Sequence, residues 1–313
     1  MADKIATREA YGAALAEFGA KYENLIVLDA DLASATKTGV FKKAFPDRFF
    51  DCGIAENNMI CVAAGLALSG KIPFASSFAM FAAGRSFEQV RNAVGYPHIN
   101  VKIGATHAGI TVGEDGATHQ CCEDIALMRV VPGMVVLNPA DATEARLAVE
   151  AAIKYTGPVY IRFGRMAVPV LYGSDHTLTI GRGSKMRGGK DVSIIATGIE
   201  VEQALAAAEI LASEGIDASV VNMASIKPLD EALVIAEAKA CGAIVTAEEH
   251  SVVGGLGAAV CETVSAACPV PVLRVGVNDV FGHSGPAAAL VKEFGLDAES
   301  IAAKAREAIK LKK

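Results

Sequence analysis

Leu25-Ile-Val-Leu-Asp-Ala-Asp31 decides the architecture. Four consecutive apolar residues stopped by an Asp-Ala-Asp turn read as a short strand buried on both faces. Upstream, Tyr11, Leu15, Phe18 and Tyr22 recur at helical spacing, so residues 7–23 read as a helix feeding that strand. The same rhythm continues downstream. Phe49–Cys52, Ile72–Ala75, Val101–Ala105, Met134–Leu137 and Pro158–Arg162 are strand candidates, and helices are expected over Met59–Ser69 and at about 82–94 and 141–155. Short apolar runs alternating with helices predict a mostly parallel sheet covered on both faces.

After Arg165 the pattern lapses. Met166–Lys190 is irregular, glycine-rich and basic near its end, and reads as a linker. A second series then begins at Val192, with a helix at 200–213, strands at 217–222, 242–246 and 270–275, and an amphipathic helix over Asp297–Lys313. With 313 residues, more than one core usually serves, the expectation is an α/β protein of two doubly wound domains, 1–165 and 191–313, joined by 166–190.

Composition narrows the function. Apolar residues make up 52% and charged residues 20%, which excludes a disordered or collagen-like chain. The net charge of -6 argues against a broad basic face for nucleic acid, so any anion must be held by local groups. Seven cysteines without CxxC spacing read as reduced, mostly buried thiols of a cytoplasmic protein, with no metal or disulfide framework. The start, Met1–Arg8, lacks the apolar core of a signal peptide and reads as a mature N-terminus. Asn57–Gly84 is the most membrane-like stretch, but glycines, a proline and serines break it into two buried elements, so no membrane span is expected.

Two phosphate motifs fail on inspection. Gly65–Lys71 nearly matches a P-loop, yet Ile72 stands where a hydroxyl must reach Mg²⁺, and a helix precedes it. Val253-Gly-Gly-Leu-Gly257 lacks the third glycine of a dinucleotide fingerprint and reads as a tight turn opening a helix. Glu56, just past a strand and ahead of a small-residue helix, is either a first-turn acid favoured by the helix dipole or a desolvated carboxyl ready for proton exchange. Phe78 and Phe81 are core residues by default or a ring-stacking pair. The densest polar run, Thr106–Gln120, holds two histidines, two carboxylates and three glycines after a strand, where open α/β sheets bind ligands. A metal site from His107, Asp115 and His119 lacks the usual short ligand spacing, and hydrogen bonding to a polyhydroxylated substrate suits the run better.

Asp29-Ala-Asp31-Leu, Gly53-Ile-Ala-Glu56-Asn-Asn-Met, Ser77–Gly84 and Val112-Gly-Glu-Asp-Gly-Ala-Thr-His-Gln120 occur in the order seen in transketolases and related thiamine-diphosphate enzymes, which they resemble. The resemblance spans essentially the whole chain but only the C-terminal half of a full-length transketolase: a pyrimidine-binding domain and a C-terminal domain. That family holds Mg²⁺ and the diphosphate with Gly-Asp-Gly followed by a downstream Asn, and this sequence contains no Gly-Asp-Gly. The resemblance therefore implies one subunit of a split transketolase in an α2β2 assembly, with the metal ligands on a partner N-terminal subunit.

By that resemblance Glu56 would hydrogen-bond N1′ of the aminopyrimidine of thiamine diphosphate, favouring the tautomer whose 4′-nitrogen removes the thiazolium C2 proton. Phe78 would stack on the pyrimidine with Phe81 beside it, and Asp31 would lie near the cofactor. His107 and Asp115 would contact substrate hydroxyls or the phosphate end, His119 the donor carbonyl region, and Arg8 and Arg165 a sugar phosphate. The implied reaction moves a two-carbon ketol unit from a ketose phosphate to an aldose phosphate. Ala35 stands where the family often has a phosphate-binding Ser, with Ser34 beside it. A 2-oxo-acid dehydrogenase β subunit, a deoxyxylulose-phosphate-synthase-like enzyme and a non-catalytic assembly partner are the alternatives.

Overall fold

A computed structural model describes residues 3–312; Met1, Ala2 and Lys313, which the expected domain bounds and tail helix include, lie outside the described residues. Among the described residues fourteen strands form three sheets. The first large sheet takes β2 (Leu25–Asp29), β3 (Phe49–Asp51), β4 (Ile72–Phe78), β5 (Lys102–Thr106), β6 (Val135–Leu137) and β7 (Val159–Arg162), all parallel, in the order β6-β7-β5-β4-β2-β3. Residues of β2 alternate between its two faces. Leu25 and Val27 pack with Tyr11, Leu15 and Phe18 of the Thr7–Lys21 helix, while Ile26 and Leu28 pack with Met59 and Ile60 of the Glu56–Leu68 helix. Burial on both faces is why the strand is apolar throughout.

The second large sheet holds β10 (Val192–Ala196), β11 (Ala218–Asn222), β13 (Ile244–Ser251) and β14 (Val272–Val277), parallel in the order β14-β13-β10-β11. Its faces are covered by the Glu200–Ser213 and Ala298–Lys310 helices on one side and the Glu231–Cys241 and Leu256–Ala267 helices on the other. The turn at Val253–Gly257 does open a helix, as its glycines imply.

Several expectations shift. The irregular stretch 166–190 contains β8 (Ala167–Pro169), antiparallel to β1 (Lys4–Ala6), and β9 (Ser184–Arg187), antiparallel to β11 at the edge of the second sheet. Neither Ala-Val-Pro nor Ser-Lys-Met-Arg forms an apolar run, and antiparallel edge pairing needs only backbone groups. Asp141 caps the Ala142–Lys154 helix through Glu144 N and also accepts Leu171 N and Tyr172 N, which ties part of the stretch down. The helix expected at 82–94 is instead two π-helical turns, Met80–Arg85 and Val90–Gly95, around a short α segment. β12 (Ser225–Lys227), from the second half of the chain, pairs antiparallel with β6 and extends the first sheet. Of the seven free cysteines three are buried, three half-buried and Cys61 exposed, so the thiols are less buried than expected. Among the described residues no helix is long and apolar enough to cross a membrane.

The two halves meet in a buried polar network. Arg162, at the end of β7, donates through Nε to Asp124 at 2.9 Å and through Nη2 to the Glu249 carbonyl at 2.8 Å. Tyr160 donates its hydroxyl to Asp124 at 2.8 Å. The Glu249 carboxylate, on β13, accepts Thr111 N at 2.6 Å, and only a glycine fits at 109, whose φ is +78° and where any Cβ would collide with that carboxylate. Burial raises Glu249 above the ordinary carboxylate range, and Arg162 opposes that shift.

Asp124→Ala leaves Arg162 charged and buried without its carboxylate, and is expected to cost about 3–5 kcal/mol in urea unfolding.

Candidate active site

The strand order turns outward in opposite directions from the β2/β4 pair, and parallel strands present their carboxyl ends on one side of the sheet. The chemistry-bearing residues gather there. Phe78 is the last residue of β4. Its ring stacks on His107 with centroids 3.8 Å apart and lies near-parallel to Phe81 at 6.0 Å. His119 stands edge-on to both rings, 6.1 Å from Phe78 and 5.4 Å from Phe81.

Glu56 begins its helix three residues before the expected start at Met59, so it is both a first-turn acid and 2% exposed. Oε2 accepts Arg85 Nη1 at 2.9 Å, and the Arg85 guanidinium lies 4.4 Å from the centroid of Phe81. The aromatic pair and the buried carboxyl are thereby one constellation.

His107 follows β5 in a left-handed backbone conformation, φ 56°, and is buried. Arg8 Nη1 lies 3.0 Å from Nε2, and Thr106 Oγ1 lies 2.9 Å from Nδ1. A guanidinium only donates, so Nε2 accepts and the ring proton sits on Nδ1, facing the threonine oxygen. Burial first, then Arg8 and Arg165, push the His107 pKa down to about 3. Its imidazole is neutral at any working pH.

Arg8 Nη1 also donates to the Ala35 carbonyl at 2.9 Å. Asp29 shapes the segment around Ala35, accepting Leu32 N, Thr36 Oγ1 and Thr38 Oγ1 at 2.6, 2.7 and 2.8 Å. Burial pushes Asp29 up to about 6, and the threonine hydroxyls hold it down against that. Gly12 lets the Thr7–Lys21 helix lie against the Lys37 backbone, where a Cβ would collide. Arg165 donates to the exposed Glu114 at 2.6 Å and to the Val112 carbonyl. The result is a cationic corner of Arg8, Arg165 and Lys37 around a neutral His107, suited to an anionic group.

Of the expected residues, Glu56, Phe78, Phe81, His107, His119, Arg8 and Arg165 converge. Asp31 and Asp115 are exposed, and no hydrogen bond or ion pair among the described residues joins their side chains to the others. Sequence reasoning missed Asp29 and Arg85. Asp29 lay in the quoted Asp-Ala-Asp turn, while Arg85 stands one residue beyond the quoted Ser77–Gly84 run.

The stacked rings beside a buried carboxyl fit a flat heterocycle with a basic edge nitrogen, the form of an aminopyrimidine. A diphosphate-bound Mg²⁺ does not fit this chain: among the described residues no group of three or more His, Cys, Asp or Glu could hold a metal ion.

Comparison with known proteins places this geometry. The family described as transketolase, pyrimidine binding domain, matches residues 3–170, and that described as transketolase, C-terminal domain, matches 181–301. A protein of Methanocaldococcus jannaschii named putative transketolase C-terminal section is 53% identical over 97% of this chain and 96% of its own length. Human transketolase is 39% identical over 96% of this chain but only 48% of its own length. A solved structure described as a split gene transketolase, inactive beta4 tetramer, superposes with a TM-score of 0.92 at 53% identity, covering 99% of this chain and all of that one.

The neutral His107 is checked by NMR of ring-labelled protein. Its resonances should stay constant between about pH 8 and 5, whereas those of His283, whose pKa the Ser284 carbonyl and Glu293 raise, should move with pH. Because unfolding returns His107 to an ordinary pKa, the unfolded chain gains a proton the native one refuses. Stability from this group is therefore lost as pH falls from about 6.5 toward 3.

Proposed function

Because this chain belongs to the transketolase family, whose members use thiamine diphosphate, we propose that it is the pyrimidine- and sugar-binding subunit of a split transketolase. It moves a two-carbon ketol unit from a ketose phosphate to an aldose phosphate only when joined to a partner. That N-terminal subunit carries Gly-Asp-Gly and the downstream Asn, holds Mg²⁺ and the diphosphate, and completes an α2β2 assembly. We assign residues 1–165 to the pyrimidine-binding domain, 166–190 to the linker and 191–313 to the C-terminal domain. Free thiols and an acidic net charge suit the cytoplasm.

The observation that carries this reading is Glu56, a nearly fully buried carboxyl beside the Phe78/Phe81 pair, in a chain without a metal-binding cluster among its described residues. A scaffold has no use for such a group, because burying a carboxyl costs stability. Two facts support the divided assembly: the match spans 48% of human transketolase, and the 53% identical split-gene chain is described as an inactive tetramer of its own kind. Both matched domains are transketolase domains, which favours this reading over a 2-oxo-acid dehydrogenase or a synthase.

Bound thiamine diphosphate supplies the electron sink that lets a ketose C2–C3 bond break and re-form. This chain's residues prepare the site. Phe78 and Phe81 orient the pyrimidine by stacking and keep water from its face. Glu56 exchanges a proton with N1′ from a carboxyl that burial keeps from solvent. His119, half-buried beside the rings, faces the donor carbonyl region, and Asp115 reaches substrate hydroxyls. Arg8, Arg165 and neutral His107 grip the phosphate, Arg165 exchanging its Glu114 contact for it. Asp31 lies at the cofactor-facing rim.

The purified chain with thiamine diphosphate and Mg²⁺ should show no ketol transfer, and addition of the partner should produce it; robust turnover by the chain alone would sink the divided reading. In the complex, Glu56→Gln should slow exchange of the cofactor C2 proton about a hundredfold or more without changing the fold. Arg165→Ala should raise KM for phosphorylated sugars roughly tenfold, with little effect on unphosphorylated ones, as expected for loss of a charge-assisted contact.

A further inference from the structure

Glu56 is a buried carboxyl. A carboxylate at 2% exposure needs a counter-charge, and the Arg85 guanidinium is its one side-chain partner among the described residues, at 2.9 Å from Oε2. Arg85 is about half exposed at its side chain, so it reaches inward from the rim. It is held there by two further features. Its guanidinium lies over the Phe81 ring at 4.4 Å, and the π turn Met80–Arg85 that carries both residues is closed by Ser86 N donating to Phe81 O. Gly84 is part of the same fit, since a Cβ there would meet the Met80 methyl. A widened turn of this kind persists where the structure needs a side chain aimed out of helical register.

We propose that Arg85 is a positioning residue for the reaction, acting through Glu56: it anchors Oε2 and so leaves Oε1, which makes no hydrogen bond among the described residues, to meet the pyrimidine edge. This rests on the assignment of Glu56 as the group that exchanges a proton with N1′. The ion pair holds Oε1 in the geometry that a proton shared with N1′ needs, about 2.6–3.2 Å between heavy atoms. The same ion pair fixes the carboxyl rotamer, so the oxygen that faces the ring does not depend on the cofactor's arrival. Phe81, held between Phe78 and Arg85, is ordered by the same contact.

Two measurements test this, one on the full chain without cofactor and one on the complex with its partner. In thermal unfolding of the chain, Arg85→Ala should lower the midpoint by about 3 °C, and adding Glu56→Gln should recover most of that loss because no charge is stranded. Equal loss in both backgrounds overturns the pairing. In the complex with thiamine diphosphate and Mg²⁺, Arg85→Gln should slow C2-proton exchange roughly tenfold, leave the cofactor dissociation constant within about threefold, and add nothing in a Glu56→Gln background. Arg85→Lys should recover part of the rate, since it restores charge without the planar fork. Exchange by Arg85→Gln within about twofold of the unsubstituted complex, while Glu56→Gln is impaired, overturns the role of Arg85 alone. Unimpaired exchange in Glu56→Gln overturns the assignment of Glu56 itself.

Discussion

The buried cluster of Arg162, Asp124, Tyr160 and Glu249 is the constraint from which the rest follows. It joins the end of β7 to β13, and so fixes one half of the chain on the other. It also fixes the Thr106–Gln120 loop, because the Glu249 carboxylate holds Thr111 N and passes close to Gly109. His107 and His119 lie on the two sides of that anchored point. The second half of the chain thus supports the site without contributing a side chain to the aromatic stack. Its cost is a concentration of charge in a dry interface, tolerable only because each member has a partner.

A second consequence concerns electrostatics. The chain is acidic overall, yet the corner around His107 gathers Arg8, Arg165 and Lys37. A protonated imidazole there would add repulsion among cations. Its burial and its acceptance of an Arg8 hydrogen bond keep it neutral, so it adds an uncharged polar group beside the guanidinium and ammonium groups. Asp29 contributes from below. Three donors converge on it and shape the Leu32–Thr38 segment, which brings the Ala35 carbonyl to Arg8. The Arg8 guanidinium is oriented by backbone before any anion arrives. That orientation comes from the Ala35 carbonyl, which any residue at 35 would supply.

What could be read in the sequence follows from where information is local. Strands such as Leu25–Asp29 were legible because burial on both faces writes itself as an unbroken apolar run. β9 and β12 were not, because an antiparallel edge strand is specified by its neighbour's backbone, and Ser-Lys-Met-Arg or Ser-Ile-Lys carries no pattern of its own. The helix at 56–68 was found but started late, since Glu56-Asn-Asn is polar while its carboxyl is buried by tertiary contacts. Seven of the nine expected site residues converge because family motifs mark them. The short-range chemistry between them was invisible: nothing in the order of residues says that Arg8 reaches His107, 99 positions away, or that Arg85 reaches Glu56, 29 positions away.

A divided active site imposes a further requirement that an undivided one escapes. Each polypeptide must survive alone with its half of the chemistry uncovered, so a carboxyl placed to serve a ligand must be neutralised by its own chain in the meantime. A permanently buried partner would solve this by making the pair inert, since a fully desolvated, fully satisfied ion pair resists rearrangement. A partner that reaches in from the surface does not. Arg85 is half exposed while Glu56 is not, and its guanidinium rests on Phe81. The pair is therefore closed to solvent at its carboxyl end and open at its guanidinium end. In the divided assembly proposed above, that asymmetry of exposure within one ion pair would let the same residues stabilise the chain on its own and still be available to a ligand.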